Sequence, residues 1–322
     1  MSMPDSPILI IDETMARQAV SRADAFLAVK NTFAAMAAGQ ARNFPVTREA
    51  LEDQAALFGF KSGYDAANGS LGLKAGGYWS KNSHQGLDNH QSSVLLFEPK
   101  TGRLEAVVSG NYLTATRTAA ASAVSIDLLA REDSKTLSIV GSGKQAESQI
   151  QAALDIRDFQ IIHIANRTRE KAERLADTLR ETGLEIFVSS IEQACRQADV
   201  LITIVSAFEP VVQTDWIKMG THIAAMGTDT VGKQELDPAL FGQARIYADE
   251  IPQSAHLGEA QHAVQQGILS SEQITAIGEA INDPSKGRQT ESEITLFDGT
   301  GVGLQDLAVA RLAVAHTRRT AS

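Results

Sequence analysis

The stretch that most constrains this chain is Thr136-Leu137-Ser138-Ile139-Val140-Gly141-Ser142-Gly143-Lys144-Gln145-Ala146. An apolar β-branched run ends in two glycines one residue apart, and the small residue Ala146 stands where a third glycine would fit. An amphipathic run follows from Glu147 to Ile156, then a second apolar run, Ile161-Ile162-His163-Ile164-Ala165. Strand, glycine turn, helix and strand form the setting in which G-x-G-x-x-G/A holds a dinucleotide. Gly141 permits the tight turn, Gly143 lets backbone approach a pyrophosphate, and Ala146 lets the helix pack close on the sheet. The helix start then offers N–H groups and partial positive charge to phosphates. A plain glycine-rich βα turn is the alternative for the motif alone; its flanking elements favour the dinucleotide.

Composition narrows the partners. The 322 residues are 43% hydrophobic and 21% charged, which suits a soluble globular protein of two domains. A net charge of −10 argues against nucleic acid or an anionic membrane as the main partner. It leaves room for a small anionic substrate in a locally cationic pocket. One cysteine, Cys195, excludes an internal disulfide and fits a reducing cytoplasm. Met1 to Pro7 lacks the basic region of a signal peptide, and Ile8 to Ile11 is too short an apolar core. Val200 to Val205 is far shorter than a membrane span. The expected location is cytoplasmic.

Taken in order, Ile8 to Ile11 reads as a short strand and Asp12 to Gln40 as helical. Arg42 to Arg48 is a loop or strand start interrupted by Pro45. Leu57 to Tyr64 and Ser70 to Tyr78 read as antiparallel strands about an Ala-Asn-Gly turn; Ser92 to Glu98 and Leu104 to Ser109 flank a hairpin signal. Leu113 to Leu129 is a small-residue helix passing between domains. A βαβ pattern follows, with strands at 161–165, 185–188, 200–205, 222–226 and 244–248 and helices at 169–181 and 191–196. Ile268, Leu269 and Ile274 to Ile277 read as helical, Ile294 to Phe297 as a last strand, and Leu304 to Arg318 as a C-terminal helix. The fold class is α/β: a Rossmann-type dinucleotide-binding domain over 131–300, plus an α+β substrate and dimerisation domain over 1–130 with 301–322. Periodicity alone leaves open whether the last helix returns to the first domain.

An acidic residue at the end of the second strand binds the adenosine ribose and repels a 2′-phosphate. Asn166-Arg167-Thr168 stands there instead, about 25 residues past Gly141. No carboxylate excludes NADP. Arg167 can pair with a phosphate, lie along the adenine or stay solvated, so NADH and NADPH both remain candidates.

With Lys74, Arg117 and Asp229 in view, the chain resembles the ornithine cyclodeaminase/mu-crystallin family over nearly its whole length. The resemblance is carried by Gly72-Leu73-Lys74, Thr114 to Ser122, Gly141 to Gln145, Ala225-Met226-Gly227-Thr228-Asp229, Gly232 to Leu236 and Phe297-Asp298-Gly299-Thr300-Gly301. It implies a nicotinamide cofactor, NAD(P)H, chemistry on the imine of an α-amino acid, and a homodimer through the N-terminal domain.

The resemblance also implies roles. Arg48 and Arg117 bind the substrate carboxylate, a task that suits the guanidinium fork; the alternative for each is a surface or interdomain ion pair. Lys74 acts in catalysis and substrate binding by managing water or negative charge on oxygen, unless it is an exposed strand lysine. Asp229 exchanges a proton with the substrate nitrogen, unless it is a helix N-cap or turn residue. Thr300 and His84 join the substrate contacts. Asn89, Gly141, Ser142, Gly143, Lys144, Gln145, Asn166, Arg167, Thr168, Ser206, Ala225, Met226, Lys233 and Gly299 face the cofactor, with Lys233 alternatively solvated. No metal set is expected, because His84 and His90 lack partners at ligand spacing.

Within the family, Gly76 to His84 is most similar to the branch that reduces iminosuccinate to aspartate. Lys81, Asn82 and His84 are candidate donors to a second carboxylate, unless the loop is a solvated turn. The resemblance leaves two alternatives: an ornithine cyclodeaminase, against which Asn166 counts because that branch carries an acidic residue there, and a non-catalytic NADP-binding protein like some mu-crystallins.

Overall fold

The computed structural model describes residues 7–51 and 56–320. Most of the segment read above for a signal peptide, Met1 to Ser6, lies outside the described residues. The chain divides into two compact units, one running to Arg117 and resuming at Val302, the other Thr118–Gly301.

The first unit is built on a seven-stranded sheet of β1 (Leu9–Ile11), β2 (Ala41–Asn43), β3 (Thr47–Leu51), β4 (Ala56–Asp65), β5 (Ser70–Trp79), β6 (His90–Phe97) and β7 (Leu104–Ser109). Its order is β1-β7-β6-β5-β4-β2, with β3 also on β4. All pairs are antiparallel except β1 with β7. The expected single helix over Asp12 to Gln40 is instead two, Glu13–Ala19 and Arg22–Ala37. Val20 is extended and the Ser21 side chain accepts from Asp24 N, so a fresh N-cap interrupts the periodic run. Pro45 separates β2 from β3. The C-terminal helix, Gly303–Thr320, covers one sheet face: Leu304 packs over Gly63 and Leu307 over Gly72. From Ser70 to Lys74 every second residue of β5 is buried, which puts Lys74 on the same face as Gly72.

The second unit holds an eight-stranded, wholly parallel sheet. Its strands are β8 (Thr136–Val140), β9 (Ile161–Ala165), β10 (Glu185–Val188), β11 (Val200–Thr203), β13 (His222–Ala225), β15 (Ala244–Ala248), β16 (Ile274–Ala276) and β17 (Ile294–Asp298); β12 (Phe208–Val212) pairs with β14 (Gln234–Leu236) apart from it. The order β10-β9-β8-β11-β13-β17-β15-β16 places the topological switch between β8 and β11. This is the Rossmann-type arrangement expected. Strands β11, β13 and β17 are buried along their whole length, as two-sided packing of a parallel sheet requires.

Two local expectations fail here, and the first is that Ile268 and Leu269 are helical: they lie past the helix Gln261–Gln265 and in no other. Ile274–Ala276 is a parallel edge strand on β15, not helix; helix begins only at Ile277. A short apolar run cannot by itself distinguish the two, and pairing with Ile246 to Ala248 decides it. The ribbon of β12 and β14 had no alternating pattern to announce it. No helix among the described residues is long and apolar enough to cross a membrane.

Candidate active site

The carboxyl ends of five adjacent strands in the second unit carry most of the residues assigned to the cofactor. Gly141 follows β8, Asn166 follows β9, Ser206 lies just beyond β11, Ala225 ends β13 with Met226 next, and Gly299 follows β17. Ligands of open parallel sheets bind at this edge beside the switch point. Gly141 has φ +122, and a Cβ there would lie 2.7 Å from Ile204 O, so the fold itself demands glycine. At Gly143 a Cβ would meet nothing within 4 Å. Its bareness serves nothing within the chain and fits the close approach of a ligand. The following helix, Ala146–Leu154, has no side-chain cap. Ser142 Oγ and Gln145 Oε1 are buried with no hydrogen-bond partner among the described residues. A helix start without a side-chain cap, a bare glycine and orphaned polar atoms fit a pyrophosphate.

The rest of the edge is held by buried carboxyls. Glu235 accepts from Thr203 Oγ1 at 2.8 Å, Val205 N at 2.7 Å and Gly227 N at 2.9 Å. Glu259 accepts from Glu235 N at 2.8 Å and Leu236 N at 2.7 Å, and also from Thr228 Oγ1. Asp298 accepts from Ser254 Oγ and Ala260 N. Burial pushes Glu235 and Glu259 above the ordinary carboxylate value, and the nearness of Glu235 adds to the rise at Glu259. Burial lifts Asp298 to about 8. Together these groups clamp the segments that carry Ser206, Asp229 and Gly299. Sequence reasoning missed them as a set: only Asp298 ends an apolar run, while Glu235 and Glu259 stand in polar stretches that give no sign of burial.

Asp229 sits in the connection between β13 and β14 and caps no helix, so the N-cap alternative falls and the turn-residue alternative stands. It accepts from Lys233 Nζ at 2.9 Å and Thr230 Oγ1 at 3.2 Å. Lys233 is thus a partner of Asp229 rather than a solvated lysine. Gly299 faces the Met226 thioether. Thr300 donates to Asp249 Oδ1 at 2.6 Å and accepts from Gln253 Nε2 at 2.8 Å. Asn166 Nδ2 closes its own turn onto Thr168 O, while Lys144, Arg167 and Thr168 are exposed.

In the first unit, β5 and two helices bring the expected cations together. Lys74 is 7% exposed and Arg117 6%, which overturns the exposed-strand alternative for the lysine. Both pair with Asp306 in the first turn of the C-terminal helix, a residue the sequence reading did not single out. Lys74 Nζ lies 2.9 Å from Asp306 Oδ2, and Arg117 Nε lies 3.0 Å from Oδ1. Arg117 Nη1 donates to Gln305 Oε1 at 3.0 Å. Arg117 is therefore an ion-pair residue too, with Nε on Asp306 and Nη1 on Gln305. Burial pulls Lys74 down to about 8; Asp306 opposes the fall, and Arg117 and Arg48 add to it. Burial pushes Asp306 up, but Arg117, Lys74 and Lys61 outweigh it and hold the group below the ordinary value. Arg48, on β3 opposite Gly59, is thus close enough for its charge to reach Lys74.

The 76–84 segment is split. Asn82 Nδ2 donates to Asp88 O at 2.9 Å, so that amide closes the loop instead of waiting for a ligand. Lys81 and His84 are exposed. Asn89 Nδ2 donates to Tyr78 Oη at 3.0 Å across the same strand connection.

The fold and these residues define a Rossmann-type dinucleotide-binding protein with a buried cationic pair in its other unit. More particularly, the chain belongs to the ornithine cyclodeaminase/mu-crystallin family, whose pattern matches residues 7–320. It is 48% identical over 309 residues to the iminosuccinate reductase of Paracoccus denitrificans (strain Pd 1222), covering 95% of this chain and 96% of that one. The crystal structure of the iminosuccinate reductase of Paracoccus denitrificans in complex with NAD+ matches with a TM-score of 0.93 at 46% identity, over 98% of this chain and 97% of that one. The Δ1-pyrroline-2-carboxylate reductase of Thermococcus litoralis, in complex with NADH and L-proline, matches with a TM-score of 0.92 at 28% identity, over 98% of each chain.

Proposed function

We propose that this chain is a nicotinamide-dependent imine reductase that reduces a small anionic imino acid, best read as iminosuccinate, to the amino acid, L-aspartate. The observation that carries the reading is the buried pair of Lys74 and Arg117 sharing the single carboxylate of Asp306. Two cations on one anion leave positive charge in excess, which a substrate carboxylate would balance. The identity with the Paracoccus iminosuccinate reductase supports the choice of substrate.

When bound, the reduced nicotinamide supplies the hydride for the imine carbon. Arg117 and Arg48 orient the α-carboxylate, and Lys74 neutralises charge next to it. Asp229, held by Lys233, carries the proton at the substrate nitrogen. Lys81 and His84 remain donors for a second carboxylate. Fixing both reactants contributes up to ~7–11 kcal/mol where alignment is ideal. Assembly as a homodimer belongs to the same reading, and sedimentation velocity checks it.

The deciding assay supplies oxaloacetate with ammonia and follows oxidation of NADH and of NADPH, with aspartate measured as product. Aspartate formation is expected. No aspartate, beside clear reduction of a monocarboxylic imine such as pyrroline-2-carboxylate, would move the substrate to that class.

A further inference from the structure

We propose that Gln305 and Asp306 are positioning residues that fix Arg117 and Lys74 as one carboxylate-binding unit; the inference rests on the function proposed above. Lys61 and Lys74 are directly opposed across β4 and β5, and both are buried. Like charges so placed destabilise a sheet unless an anion lies between them and the interior. Asp306, fully buried, is that anion: Lys74 Nζ lies within 3.0 Å of both its oxygens, and the charge of Lys61 also reaches it.

The second member of the pair sets direction. Asp306 takes Arg117 Nε and Gln305 Oε1 takes Nη1, so two acceptors on successive residues fix the guanidinium plane. Neither acceptor takes Nη2. Gln305 is itself fully buried, yet its Nε2 has no hydrogen-bond partner among the described residues. Buried amides serving only as core spend both ends on partners. An orphaned amide donor on the residue that fixes this guanidinium matches a carboxylate oxygen. Burial lowers Lys74 to about 8 even with Asp306 opposing it, so loss of that carboxylate would release the proton at lower pH still.

The test titrates the Lys74 side chain by NMR in lysine-labelled protein, with the signal assigned from Lys74→Arg, alongside steady-state kinetics of the imino acid. In Asp306→Asn the Lys74 midpoint should fall, and KM should rise at least about tenfold, with kcat changed less. In Asp306→Glu the midpoint should return towards wild type while KM stays raised, because charge is restored but distance is not. Gln305→Ala should raise KM and leave the Lys74 midpoint unchanged. An unchanged midpoint in folded Asp306→Asn, or wild-type KM in both Asp306→Glu and Gln305→Ala, overturns the proposal. If Asp306→Asn does not fold, the other two variants decide by the same KM criterion. The NMR arm needs no turnover. A midpoint that shifts in a protein that reduces no imino acid would therefore sink the proposed function while leaving the role of Asp306 towards Lys74 standing.

Discussion

Lys74 Nζ lies 3.0 Å from Asp306 Oδ1, 232 residues further along the chain. A strand lysine that would ordinarily reach for water is thereby kept inside the protein next to a guanidinium, with one carboxylate between them. Most of the chemistry expected of the first unit follows from that arrangement.

Its first consequence is a pH limit. Burial pulls Lys74 from 10.5 down to about 8, and the ammonium is the form that binds a carboxylate. Affinity for the imino acid should therefore hold below that value and be lost above it. The expected result is a kcat/KM that falls about tenfold per unit above pH 8, and a Lys74→Met variant with a lower plateau and no such limb. A wild-type profile in Lys74→Met would remove the lysine from substrate binding.

The two glycines of the turn should fail differently when changed to alanine. Gly141→Ala places a Cβ 2.7 Å from Ile204 O at φ +122, so it should cost stability, about 1–3 kcal/mol or more by thermal or denaturant unfolding. Gly143→Ala meets nothing within 4 Å and should unfold like wild type, but bind NADH at least about tenfold more weakly. Undiminished NADH binding by Gly143→Ala would place the pyrophosphate elsewhere.

The buried carboxyls predict the slope of stability against pH. Glu259 is raised to about 8 by burial first and then by Glu235, from 4.5 in the unfolded chain. Between those values the unfolded chain has released a proton that the folded one still holds. The contribution of Glu259 to stability is thus largest in acid and declines as pH rises towards 8. Glu259→Gln keeps an acceptor for Glu235 N and Leu236 N but cannot ionise. Its unfolding free energy should match wild type near pH 4 and exceed it by ~1.4 kcal/mol for each further pH unit until Glu259 ionises in the folded protein. A difference independent of pH would show that Glu259 is ionised in the folded protein.

The cofactor preference turns on Asn166. Asn166→Asp introduces a carboxylate at the end of β9, where it would repel a 2′-phosphate. NADPH should lose at least about tenfold in kcat/KM relative to NADH. An unaltered ratio of the two would mean that the ribose lies away from this turn.

How much of this was legible beforehand depends on distance along the chain. The strand, turn and helix around Gly141 could be read because every part lies within one short stretch. Arg117 stood out as a charge inside a run of alanines, and Lys74 and Asp229 through family resemblance. The break at Val20 and Ser21 was hidden because the apolar period continues through it. Ile274 to Ala276 was misread because only its partner strand makes it a strand.

Sequence alone determined that a parallel nucleotide-binding sheet would form, since local pattern suffices for it, and family resemblance added the cations that accompany it. Tertiary structure decided which anion holds those cations. An aspartate in the first turn of an amphipathic helix looks like any solvated helix start until the sheet buries it. Burial is what converts Asp306, Glu235 and Glu259 from surface charges into fixed supports, because an ionisable group out of water must find partners or give up its charge.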